Sequence, residues 1–107
     1  NSVLRLVSEK PVQSGELVQF QFIISEDSLK NKIIRFQKND FIGPNQQIIN
    51  SRSIKIYPSI VNLKNQKEVD VTISVKIPPK TASGKYNSLI TDFDNESLLI
   101  ILSIEVI

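Results

Sequence analysis

The segment TDFDNES, residues 91–97, gathers Asp92, Asp94, Asn95 and Glu96, whose oxygens are the hard ligands that calcium takes. It lacks the length and the glycine of a calcium loop, and Asp and Asn are also the residues a hairpin turn favours for their local hydrogen bonds. We read Asp92–Glu96 as a turn between two strands and assign no metal to it. A second candidate is KNDFIGPN, residues 38–45, which places Phe41 and Ile42 beside Asp40. A loop aromatic offers a sugar a large apolar face at low entropic cost. Phe41 is therefore the residue through which a glycan would be held, unless it folds back to plug the end of the domain, which is the reading we favour. Tyr57 poses the same choice and is expected to pack beneath Pro58. Catalysis has little to work with. Histidine and cysteine are absent, which removes the commonest general base, the thiol nucleophile and the thiolate metal sites. No serine, lysine or carboxylate pair forms a constellation that replaces them. We expect no catalytic residue, no cofactor and no enzyme activity.

The charge pattern narrows the partners. Thirteen Lys and Arg stand against 11 Asp and Glu, a net charge of +2, with the signs interspersed along the chain. A phosphate footprint needs a basic stripe, so nucleic acid is not expected as a partner. The longest apolar run, Leu98 to Leu102, is too short to span a bilayer, and membrane insertion is not expected either. The chain opens at Asn1 without a methionine and closes at Ile107 within an apolar run, which we read as one domain, residues 1–107, taken from a longer or processed protein.

The elements that must position these residues follow period two. In EVDVTISVKI, residues 68–77, Val69, Val71, Ile73, Val75 and Ile77 share one face while Asp70, Thr72, Ser74 and Lys76 share the other, the alternation of a strand with one wet side. Residues 17–25, LVQFQFIIS, turn Val18, Phe20, Phe22 and Ile24 inward and Gln19 and Gln21 outward. They follow a turn at Gly15, where a positive φ costs least. Val3 to Val7, Lys32 to Gln37, Gln46 to Ile49, Ser53 to Tyr57, Tyr86 to Phe93 and Leu98 to Val106 read as further strands, separated by turn-forming clusters. Valine and isoleucine dominate the apolar set, and their β-branched side chains favour strands over helices. The expected fold is all-β, an antiparallel sandwich of about seven to eight strands.

In VKIPPKTASGKYNSLI, residues 75–90, Pro78 and Pro79 end the long strand, Gly84 supplies a turn and Tyr86 opens the next strand. A tyrosine at the start of the penultimate strand, bonding its hydroxyl to backbone a few residues upstream, is the tyrosine corner of immunoglobulin-like sandwiches. Ser88 stands where such domains carry a cysteine. The longer span IKIYPSIVNLKNQKEVDVTISVKIPPKTASGKYNSLI, residues 54–90, resembles bacterial immunoglobulin-like modules appended to secreted and cell-surface proteins. The resemblance rests on Tyr57–Pro58, Ile60, Leu63, the alternation from Val69 to Ile77, Pro78, Gly84 and Tyr86, and on the strand after Gly15. It implies an immunoglobulin-like fold, an extracellular or cell-surface setting with the periplasm as an alternative, and a role as spacer or assembly module. The adjacent domains of the same polypeptide, or another protein, would be its partners, with glycan as an alternative. The amino-terminal domains of pilus-type periplasmic chaperones are similar too, which implies as a further alternative a chaperone-like domain pairing an edge strand with a client, but their basic anchoring residues have no counterpart here.

One feature of the pattern is not explained by a core. If Tyr86, Ser88 and Ile90 point inward, Leu89 points outward; if Ile100, Leu102, Ile104 and Val106 point inward, Leu99 and Ile101 point outward. The two strands are neighbours in an immunoglobulin sandwich, and Ile33 lies on the strand expected alongside. Leu89, Leu99, Ile101 and Ile33 are therefore the expected partner interface, because a contiguous exposed apolar patch marks a contact surface. The competing reading is a bulge that turns this set inward.

Overall fold

The structure is a computed structural model that describes residues 2–25, 33–64 and 66–107, the side chains of residues 2 and 95–97 excepted. The two strongest period-two segments pair with each other. β2 (Leu17–Ser25) runs antiparallel to β8 (Glu68–Lys76) from Leu17 opposite Lys76 to Ser25 opposite Glu68, without a bulge. β6 (Ile54–Tyr57) adds to the far side of β8 and completes a three-stranded sheet in the order β2-β8-β6.

The second sheet has the order β1-β10-β9-β3-β7, built from β1 (Ser2–Val7), β10 (Asn95–Val106), β9 (Gly84–Asp92), β3 (Ile33–Lys38) and β7 (Ile60–Asn62). Two short strands, β4 (Phe41–Ile42) and β5 (Ile48–Ile49), pair with each other, and β4 also touches β9. Among the described residues ten strands thus stand where seven to eight are expected. The excess comes from β4 and β7, two- and three-residue segments whose strand character depends on the neighbour they meet. β1 and β10 are parallel, against the antiparallel expectation, since β1 joins an edge that only the end of the chain creates. Gln46 and Ser53, read as strand residues, lie in short 3-10 turns at Pro44–Gln46 and Ser51–Ser53. Lys32 lies outside the described residues.

The core fills the space between the sheets. Val71, Ile73 and Val75 of β8 and Val18 and Phe20 of β2 face Ile90 of β9, Ile100 and Leu102 of β10 and Ile34 of β3, all buried. Each such side chain contributes roughly 1.5–3 kcal/mol relative to an exposed one, against about 1 kcal/mol for a turn hydrogen bond. Alternation, more than turn chemistry, therefore joins the sheets.

The corner at Tyr86 has the expected geometry. Its ring is buried and its hydroxyl donates to the Ala82 carbonyl at 2.7 Å, four residues upstream. Ser88 occupies the inward slot two residues on and donates to the Asn39 carbonyl at 2.6 Å. The turn ahead of β2 places Gly15 at φ 87°. Its N–H bonds the Ile77 carbonyl at 2.8 Å, and the Lys76 ammonium donates to its carbonyl at 2.6 Å. Among the described residues no helix is long and apolar enough to cross a membrane.

Candidate functional site

The outer face of the larger sheet carries the residues expected there. Cross-strand partners share a face, and the register aligns Val3, Leu99, Thr91 and Gln37 in one row and Arg5, Ile101 and Leu89 in the next. A third row holds Val7, Ser103, Asn87 and Ile42. Leu89 is 46% exposed and Val3 63%. Leu99 and Ile101 are half-buried, because β10 is an interior strand with β1 on one side and β9 on the other. No bulge turns this set inward: β9 and β10 stay in register from Leu99 opposite Thr91 to Val106 opposite Gly84, and the shift between them lies before Leu99.

Val3 and Val7 extend the apolar surface, and sequence reasoning did not place them there. Their spacing signals a strand face, but only the parallel pairing of β1 with β10 sets them beside Leu99 and Ser103. Polar pairs border the patch. Ser103 donates to the Asn87 amide oxygen at 2.6 Å, and the Asn39 amide donates to the Leu89 carbonyl at 2.9 Å. Ile33 faces the same way, but it sits opposite Asn62 near the far end of β3, with Arg35 between it and Gln37. It does not join the Leu89, Leu99 and Ile101 cluster.

The acidic turn is organised by Arg35. The guanidinium donates from Nε and Nη2 to both carboxylate oxygens of Asp94, at 2.8 and 2.6 Å, and its centre lies 5.4 Å from the centroid of the Phe93 ring. Arg35 holds the Asp94 carboxyl below its ordinary pKa, chiefly by this hydrogen bonding. Asp92 is buried, and its Oδ1 accepts the backbone N–H groups of Arg35 and Asp94 at 3.3 and 3.2 Å. These contacts make a turn clamp. The side chains of Asn95 and Glu96 lie outside the described residues, and among the described residues no three acids gather into a metal site.

The aromatic candidates sort in the opposite way to a glycan platform at Phe41. Phe41 is fully buried and plugs the sandwich, so it has no face to offer a sugar. Tyr57, expected beneath Pro58, is 80% exposed instead. It lies at the end of the edge strand β6 on the outward side of the small sheet, paired with Thr72.

No protein-family model matches the chain, and no curated relative does. Among solved structures, a family 123 glycoside hydrolase from Clostridium perfringens, described for glycolipid glycan hydrolysis, superposes over 98% of this chain with a TM-score of 0.68 at 20% identity. That likeness is one of fold. This chain spans 23% of the length of that enzyme, so the same sandwich there occupies one part of a much larger polypeptide.

Proposed function

We propose that this chain is a non-catalytic accessory module of a larger secreted or cell-surface bacterial protein, which packs against a neighbouring domain through the outer face of its larger sheet. The observation that carries this reading is the apolar step formed by Val3, Leu89, Leu99 and Ile101 across three adjacent strands. The likeness to one segment of a glycoside hydrolase supports the accessory role, because the fold occurs there within a multi-part enzyme. The test is hydrogen exchange on the parent polypeptide and on the separate 107-residue chain. Slower exchange around Leu89 and Leu99 to Ile101 in the parent is the expected result. Equal exchange in both would remove the proposal.

A glycan-binding role is the second reading, and the exposed Tyr57 ring favours it over Phe41. It predicts ring chemical-shift changes at Tyr57 on adding oligosaccharide. A flat titration would leave the packing role alone.

A further inference from the structure

The small sheet has two edges, and they differ. β6 at one edge is four residues long, carries Lys55 and runs into Pro58. β2 at the other edge is nine residues long, contains no charge and no proline, and pairs with β8 without a bulge. From Leu17 to Ile24 its backbone has no partner other than β8 among the described residues. Sheet edges are ordinarily protected by short length, charge, proline, a bulge or a covering loop; β2 has none of the first four, and the β1–β2 connection leaves an open groove beside its first half. The other exposed edges do: β1 carries Arg5, β7 is three residues long and β5 two.

We infer that β2 is a self-association edge, on which a second copy of this chain adds its own β2 antiparallel, about a two-fold axis through Phe20. The order Leu-Val-Gln-Phe-Gln-Phe-Ile, residues 17–23, is a palindrome in polarity. Antiparallel pairing about Phe20 sets Leu17 opposite Ile23 of the second copy, Val18 opposite Phe22, and Gln19 opposite Gln21. From Leu17 to Ile23 apolar meets apolar and amide meets amide, while Ile24 and Ser25 run past the start of the second copy's β2; an isologous contact needs that self-complementarity. Shifting the axis to Gln21 sets Gln19 against Ile23 and loses the match.

The exposed side chains have an explanation in this arrangement. Leu17 and Ile23, 56% and 59% exposed, are aliphatic groups on the outer face of the small sheet, which elsewhere carries polar residues and Tyr57 and whose Gln19 amide donates to Ser74 at 3.2 Å. Pairing covers each with the other. A groove of about 580 Å³ runs along the edge of β2 beside the β1–β2 connection, with Leu6, Val12, Val18 and Phe20 on its apolar side and Glu9, Lys10, Gln19 and Gln21 on its polar side. The incoming strand lies along this groove with its Val18, Phe20 and Phe22 on the inner side. The two small sheets become one sheet of six strands, with roughly one hydrogen bond per paired residue across the junction. This contact involves the opposite sheet from the proposed packing face, so the two stand or fall separately.

The experiment is sedimentation equilibrium on the unaltered chain and on two double variants. Gln19→Lys with Gln21→Lys sets like charges opposite each other twice, and Gln19→Glu with Gln21→Glu does the same with the other sign. All four substitutions are at exposed positions, and circular dichroism checks that each variant is folded. The expected result is a dimer of the unaltered chain, monomers of each double variant alone, and a dimer again in an equimolar mixture of the two. Ile101→Lys, on the other sheet, leaves the dimer intact. A unaltered chain that stays monomeric up to roughly 1 mM, double variants that still dimerise, a mixture that stays monomeric, or loss of the dimer in Ile101→Lys would each overturn the inference.

Discussion

Gly43 lies flat against the ring of Tyr86: a Cβ built on Gly43 would stand 2.5 Å from Cε2 and 2.8 Å from Cζ of that ring. The backbone there is extended, at φ −107°, so the glycine is required by the ring and not by the conformation of the turn. The following Pro44 packs in turn on Gly84, where a Cβ would meet its ring at 2.7 Å. The turn Gly43–Gln47, closed by the Gly43 N–H to Gln47 carbonyl bond of 2.7 Å, thus covers the tyrosine corner.

Gly43→Ala should therefore destabilise the fold by about 1–3 kcal/mol, the usual cost of forcing a methyl group into a filled space. Chemical denaturation reads this as a lower midpoint with an unchanged slope. Gly15→Ala, with nothing within 4 Å of the added Cβ, tests the contrast. Its cost arises only from φ 87° and should be about 1 kcal/mol.

Tyr86→Phe keeps the ring against Gly43 and deletes the bond to Ala82. The expected loss is about 0.5–1.5 kcal/mol, the net worth of one hydrogen bond. Thermal melting measures it; a loss as large as that of Tyr86→Ala would mean that the hydroxyl, and not the ring, holds the corner.

Neighbouring residues of β10 should respond oppositely. Ile100 is fully buried, and Ile100→Ala should cost about 2–5 kcal/mol. Ile101 faces out and is only half-buried, and Ile101→Lys in the separate chain should cost about 1 kcal/mol, well below Ile100→Ala. Denaturant unfolding of both variants checks the register directly.

The Arg35–Asp94 pair fixes the sign of one pH effect. Asp94 has its folded-state pKa lowered, first by the Arg35 hydrogen bond. A lowered carboxyl contributes stability above its unfolded pKa and loses it as pH falls through the folded value. The pair is solvent-exposed, with side chains about half accessible, so the contribution is small and weakens with salt. Carboxyl carbon shifts should place the Asp94 titration below that of an unpaired aspartate, and Arg35→Gln should raise it.

Period two alone was enough to locate β2 and β8 and to predict which of their side chains face the core, because a strand's two faces alternate whatever it pairs with. The same rule turned Leu89 outward, and the proline, glycine and tyrosine of residues 78–86 fixed the corner, since each acts within a few residues of itself. Short strands escaped this reading: in β4 and β7 two or three residues cannot establish a period. Phe41 and Tyr57 show what tertiary structure decided. Both are aromatics near a turn, yet one is sealed in the core and the other left in water, because burial depends on which layer passes overhead. The parallel meeting of β1 with β10, which places Val3 beside Leu99, likewise joins opposite ends of the chain. No local pattern encodes that contact; it exists only once both sheets have closed around the core.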